Sequence, residues 1–558
     1  MSFFRIENDN LIIEREGMRI SFPDVREVSA KTDDAGGLSL PYTDITAVGE
    51  RTRHYHVWDG LPLVYMPDYS EKSLYKLTGE HWLIRAVRLH AFSDDNDTLA
   101  EENEYHLFAG KIFLPMTGEM FFLEDPESGD ALVIISEDPY YARATLKIQN
   151  KEIFIENNGN PVALGFCKSG ECEALAREYY RYARKPQRLV TMSNTWGDRN
   201  GISRVCRDFV LREVDTAKEL GVDIVQIDDG WQVGRTGDPA IYDEHGLRHF
   251  DGDFWEINAE RFPNGIREVT DYAEKDGVKV GLWFAPDSNL CFKLLERDKA
   301  VLRRAYEEWG ARFFKLDMYW VLNGEYRDKF LELLREIYTF GEDVAVQLDV
   351  TRDNRVNYLC GRQYGTVFVE NRYHASANSF PHRVLRNLWT LGRYLPTQKF
   401  QFELINPDLF RENYREGDPF VPSLYDMDYL FAAVMLSNPL FWMEMQFLKD
   451  ERREPLKRIM DIWKEHRDAL SSADIQPIGD KPTGRSNTGF VASTSGEAKY
   501  LLLFREVNDS GDAVFTAPVK AGEIKILASN TDAQIELSDG VIRMKTAKPR
   551  SYVFAEII

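Results

Sequence analysis

Between residues 187 and 470 the sequence repeats one pattern eight times: a short apolar run followed by an amphipathic stretch with helical spacing. The runs cover 189–196, 222–229, 279–287, 311–320, 344–351, 366–373, 399–406 and 440–446. Helical stretches such as 207–220, 299–309, 326–338, 381–394 and 425–436 lie between them. Runs that are apolar throughout belong to strands covered on both faces, as in parallel sheets flanked by helices. Eight strand–helix units in about 280 residues have the size and rhythm of a closed (β/α)8 TIM barrel. An open doubly wound sheet is the alternative, but no glycine fingerprint follows the first strand.

The flanks lack this rhythm. Residues 1–170 are strand-like, with β-rich runs at 82–89, 111–115 and 131–135 and turn signals such as Asn157-Asn158-Gly159-Asn160. They predict a large β-sandwich. A helical stretch at 171–185 stops at Pro186. From residue 471 the helical period ends again, and runs at 500–504, 523–527 and 551–555 predict a second, smaller antiparallel β-sandwich. The expected chain is therefore multidomain: an N-terminal β-sandwich (1–170), a linker helix (171–186), a catalytic barrel (187–470) and a C-terminal β-sandwich (471–558).

A formal charge of -22 argues against nucleic acid or an anionic membrane as partner, since both select basic patches. No run of eighteen apolar residues suggests a membrane-spanning helix. The start, Met1-Ser2-Phe3-Phe4-Arg5-Ile6-Glu7, shows no signal peptide, and five scattered cysteines (Cys167, Cys172, Cys206, Cys291, Cys360) suit a reducing cytoplasm. His54 and His56 share a strand face, but two histidines without a third ligand are poor grounds for a metal site. A homo-oligomer is left open.

Barrel enzymes keep their chemistry at the carboxyl ends of the strands. In order, those ends carry Asn194 and Trp196; Asp228, Asp229 and Trp231; Trp283 and Asp287; Lys315 and Asp317; Asp349 and Arg352; Glu370 and Arg372; Glu403; and Glu444. Lys315 and Asp317 are two residues apart on a strand and so point the same way. A single strand-end carboxylate is usually a helix cap. Acidic groups on seven of the eight ends form an acidic bowl, which capping does not explain. Almost no histidine accompanies them, so a serine-type triad is not expected. Two chemistries fit: metal binding, as in enolase-like barrels, and glycoside cleavage by paired carboxylates. Interleaved Trp196, Trp231, Trp283 and Trp320 favour sugar, whose apolar faces stack on indole.

Four segments carry a resemblance. Asn194-Thr195-Trp196, Ile227-Asp228-Asp229-Gly230-Trp231-Gln232, Gly281-Leu282-Trp283-Phe284-Ala285-Pro286 and Lys315-Leu316-Asp317-Met318 resemble the signature segments of glycoside hydrolase family 36. Its members are retaining α-galactosidases, with raffinose-synthase-like transglycosidases as relatives. The architecture resembles theirs too: N-terminal β-supersandwich, linker helix, barrel and C-terminal β-sandwich. The resemblance implies Asp317 as nucleophile and Glu370 as acid/base; no cofactor is expected, and the lack of histidine and cysteine ligands among the strand ends predicts a metal-free site. It implies Asp228, Asp229 and Lys315 as sugar-hydroxyl contacts, with Trp231 and Trp283 lining the pocket. Trp196, Asp349 and Arg352 complete the expected substrate-binding set.

Two segments depart from the family. Gln347-Leu348-Asp349-Val350-Thr351-Arg352-Asp353-Asn354 stands where a glycine- and cysteine-containing segment is usual, and Glu370 stands where aspartate is usual. Both touch the sugar in the family, so the hexose stays open, with galactose the default. The implied reaction is exo-acting hydrolysis of an α-glycoside with retention. Alternatives are an α-glycosidase for a related sugar, transglycosylation, a metal-dependent lyase or epimerase, and a non-catalytic sugar-binding protein. The insertion from Val233 to about Phe254, carrying Arg235, His245 and His249, is expected to cover the pocket.

Overall fold

A computed structural model describes residues 3–558 except 16, 34–39, 71–72, 91–97, 109–114, 138–142, 183–186, 199–201, 245–247, 251, 351–357, 359–362 and 370–371. Eight parallel strands close into a barrel. They are strand one (Met192–Asn194), two (Ile224–Ile227), three (Lys279–Phe284) and four (Phe313–Leu316). Strand five (Ala345–Asp349), six (Thr366–Phe368), seven (Phe400–Leu404) and eight (Asn438–Phe441) complete it. Strand eight pairs back onto strand one through Met192↔Leu440, which closes the ring.

Strands one to seven lie within their expected apolar runs but are shorter, because the runs continue past the ladder into the loops that bear function; strand eight starts two residues ahead of its run, at Asn438. The helix at Arg207–Leu220 matches its expected bounds, and Pro381 opens the helix Pro381–Gly392 as a first-turn proline. A 23-residue helix, Asp450–Ser472, follows strand eight and ends the barrel's outer layer.

Alternation along the strands sorts residues between two environments. On strand four, Phe314 and Leu316 face the helices and join the large core shared with them. Phe313 faces the barrel interior with Met192, Ile224, Phe368, Leu440 and Trp442. Lys315 and Asp317 continue that interior row upward. The floor also holds buried glutamines: Gln347 donates to Gln401, and Gln401 lies 3.8 Å from the Met192 sulfur. Gly281 makes room for a third, since a Cβ there would sit 2.4 Å from Gln226 Oε1.

The N-terminal part is built on a nine-stranded antiparallel sheet, with three- and four-stranded sheets beside it. Asp130–Ser136 shows why its strands read as unbroken apolar runs. Val133 and Ile135 join the core that continues through the helix Cys172–Tyr182 into the barrel. Leu132 and Ile134 fill a separate core on the other face. After the last barrel helix, a five-stranded and a three-stranded sheet enclose a smaller core around Val491, Leu501 and Ile542. His54 and His56 lie 3.2 and 3.7 Å from one Asp44 oxygen, and His56 stacks on Tyr42 at 4.1 Å.

Candidate active site

Lys315 is the centre of the site. Its side chain is 2% exposed, so an isolated ammonium there would be costly. Three carboxylates from three strands surround it: Asp228 at 3.0 Å, Asp349 at 3.7 Å and Asp317 at 4.0 Å. Burial works against the charge, but Asp228, Asp317 and Asp349 outweigh it and hold the ammonium well above the usual lysine range. The Nζ also lies 5.4 Å from the Trp442 ring centroid and 5.7 Å from that of Phe368.

Asp228 is fixed on all sides. Its Oδ2 accepts from Asn194 Nδ2 (2.8 Å) and Lys315, its Oδ1 from the Asp229 amide (2.9 Å), and its own amide donates to Thr195 Oγ1 (3.0 Å). Asp229 accepts from Gln232 Nε2 (2.5 Å) and from Thr236 Oγ1. Burial raises its pKa; the Gln232 and Thr236 bonds oppose this, while Asp228 and Asp317 add to the rise.

Asp317 sits one residue beyond strand four, its amide still donating to Phe284 O (3.1 Å). Its carboxylate is aimed by two donors: Met318 N–H to Oδ1 (2.6 Å) and Trp283 Nε1–H to Oδ2 (3.1 Å). Of the four charged side chains in the cluster it is the most open, at 15%. The turn that places the Met318 amide is left-handed, with a φ of 60° at Met318, a conformation costly for a residue with a Cβ.

The expected residues thus divide. Asp228, Asp229, Trp283, Lys315, Asp317 and Asp349 are brought together around one centre. Trp196 is half-buried against the interior cluster, with its amide donating to Asn194 Oδ1 (2.8 Å). Arg352 and Glu370 lie outside the described residues.

Trp231 requires a correction, because it does not line the pocket. It is 1% exposed, stacks on Trp255 at 5.9 Å and meets Trp309 edge-on at 5.4 Å. Its indole N–H donates to Trp283 O (2.9 Å), so it supports the tryptophan that touches Asp317. The reason lies at Gly230, whose φ of 120° turns the chain outward after the double aspartate. A Cβ at Gly230 would lie 2.7 Å from Arg261 Nη1 and 2.8 Å from Ile202 Cβ.

The insertion after strand two rests on the ends of strands two to four. His249 pairs with Asp243 of the same loop at 3.0 Å, Arg235 is exposed, and His245 lies outside the described residues. Besides Thr236 on Asp229, Arg248 of this loop reaches the site, its Nη2 donating to Met318 O (2.6 Å). Sequence reasoning missed Arg248 and Trp442. An arginine within an insertion has no periodicity to mark it, whereas Trp442 stood inside the eighth apolar run.

The sequence model of the Melibiase family matches residues 173–296, from the linker helix past strand three. The α-galactosidase Mel36A of Lactobacillus acidophilus is 38% identical over 115 residues, 21% of this chain and 14% of that protein. The α-galactosidase AgaA of Geobacillus stearothermophilus is 29% identical over 113 residues, 20% of this chain and 13% of AgaA. The matched sequence thus spans a small part of these curated relatives. Solved structures extend a likeness in fold to nearly the whole chain. A GH36 α-galactosidase AgaA variant in complex with 1-deoxygalactonojirimycin superposes with a TM-score of 0.63, covering 94% of this chain and 87% of that one at 13% identity. The galactosidase domain of AgaSK gives 0.66 over 96% and 87%, also at 13%. The fold is that of the multidomain GH36 enzymes, and the chain resembles GH36 α-galactosidases.

Proposed function

We propose that this chain is a retaining, exo-acting α-galactosidase-like glycoside hydrolase working by double displacement. The observation that carries the reading is Asp317: a part-exposed carboxylate aimed by N–H donors of Met318 and Trp283, 4.0 Å from a buried ammonium, above the floor of a (β/α)8 barrel. Asp317 attacks the anomeric carbon while Glu370 protonates the departing oxygen. Water, deprotonated by Glu370, then releases the sugar with its configuration retained. Among the described residues of this cluster, Asp228, Asp229, Asp317 and Asp349 outnumber Lys315. That excess suits a transition state with oxocarbenium character, whose positive charge grows as the bond breaks.

Asp228 and Lys315, held on strands two and four, are the proposed partners of sugar hydroxyls. Relatives of this fold have been crystallised with raffinose and with stachyose, and galactosyl oligosaccharides of that class are the proposed substrates. Galactose is only the default sugar, and the hexose stays open, because the departures around Asp349 and at Glu370 fall where the family contacts its hexose.

The test is a set of nitrophenyl glycosides: α-galactoside, α-N-acetylgalactosaminide, α-glucoside and β-L-arabinopyranoside, with the first-formed anomer read by NMR. The expected result is turnover of at least one, with the product retaining its configuration. Inversion, or no turnover of any, would overturn the reading. The acid/base assignment has its own signature. Glu370→Ala should be slow on poor leaving groups, and azide should restore turnover of the nitrophenyl substrate by giving a retained glycosyl azide. Azide rescue confined to Asp349→Ala or Glu403→Ala would move the role to that residue.

A further inference from the structure

We infer that Arg248 is a positioning residue for the Asp317 carboxylate: it clamps the left-handed turn at Met318 whose amide aims that carboxylate. The kinetic consequence rests on the hydrolase reading above; the clamp itself rests on geometry alone.

The insertion brings Arg248 to the turn from 70 residues away and is itself tied down. Val233 and Gly234 donate to Glu256 O (2.8 Å) and Phe254 O (3.0 Å), and Thr236 bonds to Asp229. Around Arg248, the His249 amide donates to Ile241 O (2.7 Å) and Arg297 Nη1 donates to Phe250 O (2.6 Å). Asn289, just beyond strand three, donates its Nδ2 to Arg248 O. From this anchored backbone the guanidinium crosses to strand four, 5.5 Å from the Trp320 ring centroid and 5.8 Å from that of Phe250. The residue is 3% exposed, and its 2.6 Å bond to Met318 O is a short, charge-assisted one.

Met318 is not glycine, so its left-handed backbone persists only while its surroundings enforce it. Two bonds act on this residue: Arg248 on its carbonyl and the Asp317 carboxylate on its amide. Without the first, the backbone can relax toward an ordinary region, and the amide then swings away from Asp317 Oδ1. The carboxylate then loses an aiming donor and turns about its terminal bond. Misplacing a reacting atom lowers the rate of bond formation, while sugar binding by Asp228 and Lys315 remains.

The experiment compares wild type with Arg248→Ala, Arg248→Met and Arg248→Lys. On a nitrophenyl α-galactoside, Arg248→Ala and Arg248→Met should lower kcat roughly 10- to 100-fold with KM changed less than about threefold. Arg248→Lys should recover part of the rate. Covalent capture by a galacto-configured α-cyclophellitol, followed by intact mass, should slow in parallel. Binding of 1-deoxygalactonojirimycin by calorimetry should stay within about threefold. Hydrogen exchange in the segment 313–323 should rise at the Met318 amide in Arg248→Ala and Arg248→Met. Arg248→Met keeps the apolar stem over Trp320 and guards against a variant that fails to fold. An unchanged kcat, or a loss confined to KM and inhibitor affinity, overturns the inference. If wild type turns over no glycoside, the hydrolase reading fails separately, and exchange at Met318 still decides the clamp: faster supports it, unchanged overturns it.

Discussion

Among the described residues, half-buried Arg85 and buried Lys315 each face three carboxylates. Arg85, in the nine-stranded sheet, bonds Glu124 and Glu173 at 2.9 Å each and Glu102 at 3.3 Å. Lys315 has one short partner, Asp228, and holds Asp349 and Asp317 at 3.7 and 4.0 Å. The charge count is equal; the use of the bonds differs. Around Arg85 the carboxylates have second donors that tie parts of the chain together. Gly170 N and Ser169 Oγ bond Glu124, Arg393 bonds Glu173, and Tyr394 OH bonds Glu102 (2.8 Å). The cation and its anions are open to a similar degree, 12–26%. This is a rivet between sheet, linker helix and barrel. Around Lys315 the cation and two anions are nearly closed off, and Asp317 alone is part-open at 15%. Only the second arrangement singles out one anion as the open member of a closed cluster, with its charge balanced from behind by a buried cation.

Experiments that remove one member from each cluster test this contrast. The largest effect is expected at Asp317. Asp317→Asn should keep the fold and lose on the order of 10⁴ in kcat, the scale of deleting a nucleophile. A variant retaining more than a few per cent of the rate would make Asp317 a binding residue. Lys315→Met comes next. It leaves buried carboxylates without their cation, so thermal or urea unfolding should show a loss of about 3–5 kcal/mol together with a large fall in kcat/KM. A rate near wild type would reduce Lys315 to a rivet like Arg85.

Trp283→Phe removes one N–H from Asp317 and should cost kcat roughly 10- to 100-fold, the worth of a bond to a charged group. An equal cost in Trp231→Phe would mean that the N–H on Asp317 is not what matters. Arg85→Met should have the smallest kinetic effect. Stability should fall by about 1–3 kcal/mol while kcat/KM stays within twofold. A rate loss at Arg85 as deep as at Lys315 would erase the distinction between the clusters.

Much of the barrel was legible because its strands are buried on both sides and its helices on one, which writes two periods into one stretch of chain. The alternation on strand four was enough to put Lys315 and Asp317 on one face. The same rule says nothing once a strand has ended. Asp228, Asp229 and Trp231 are near neighbours in sequence, yet the first bonds Lys315, the second holds the insertion through Gln232 and Thr236, and the third faces the helix layer. Gly230 separates their directions through a backbone angle that composition does not reveal.

The sequence by itself determined the order of elements, the face shared by Lys315 and Asp317, and the acidity of the strand ends, since all follow from local period and side-chain chemistry. Only the tertiary structure decided which groups meet. Asp228 lies 87 residues from Lys315, Arg248 lies 70 from Met318, and Trp283 lies 34 from Asp317. Such pairs are fixed by how the barrel closes and where its loops return, and they leave no periodic trace in the chain.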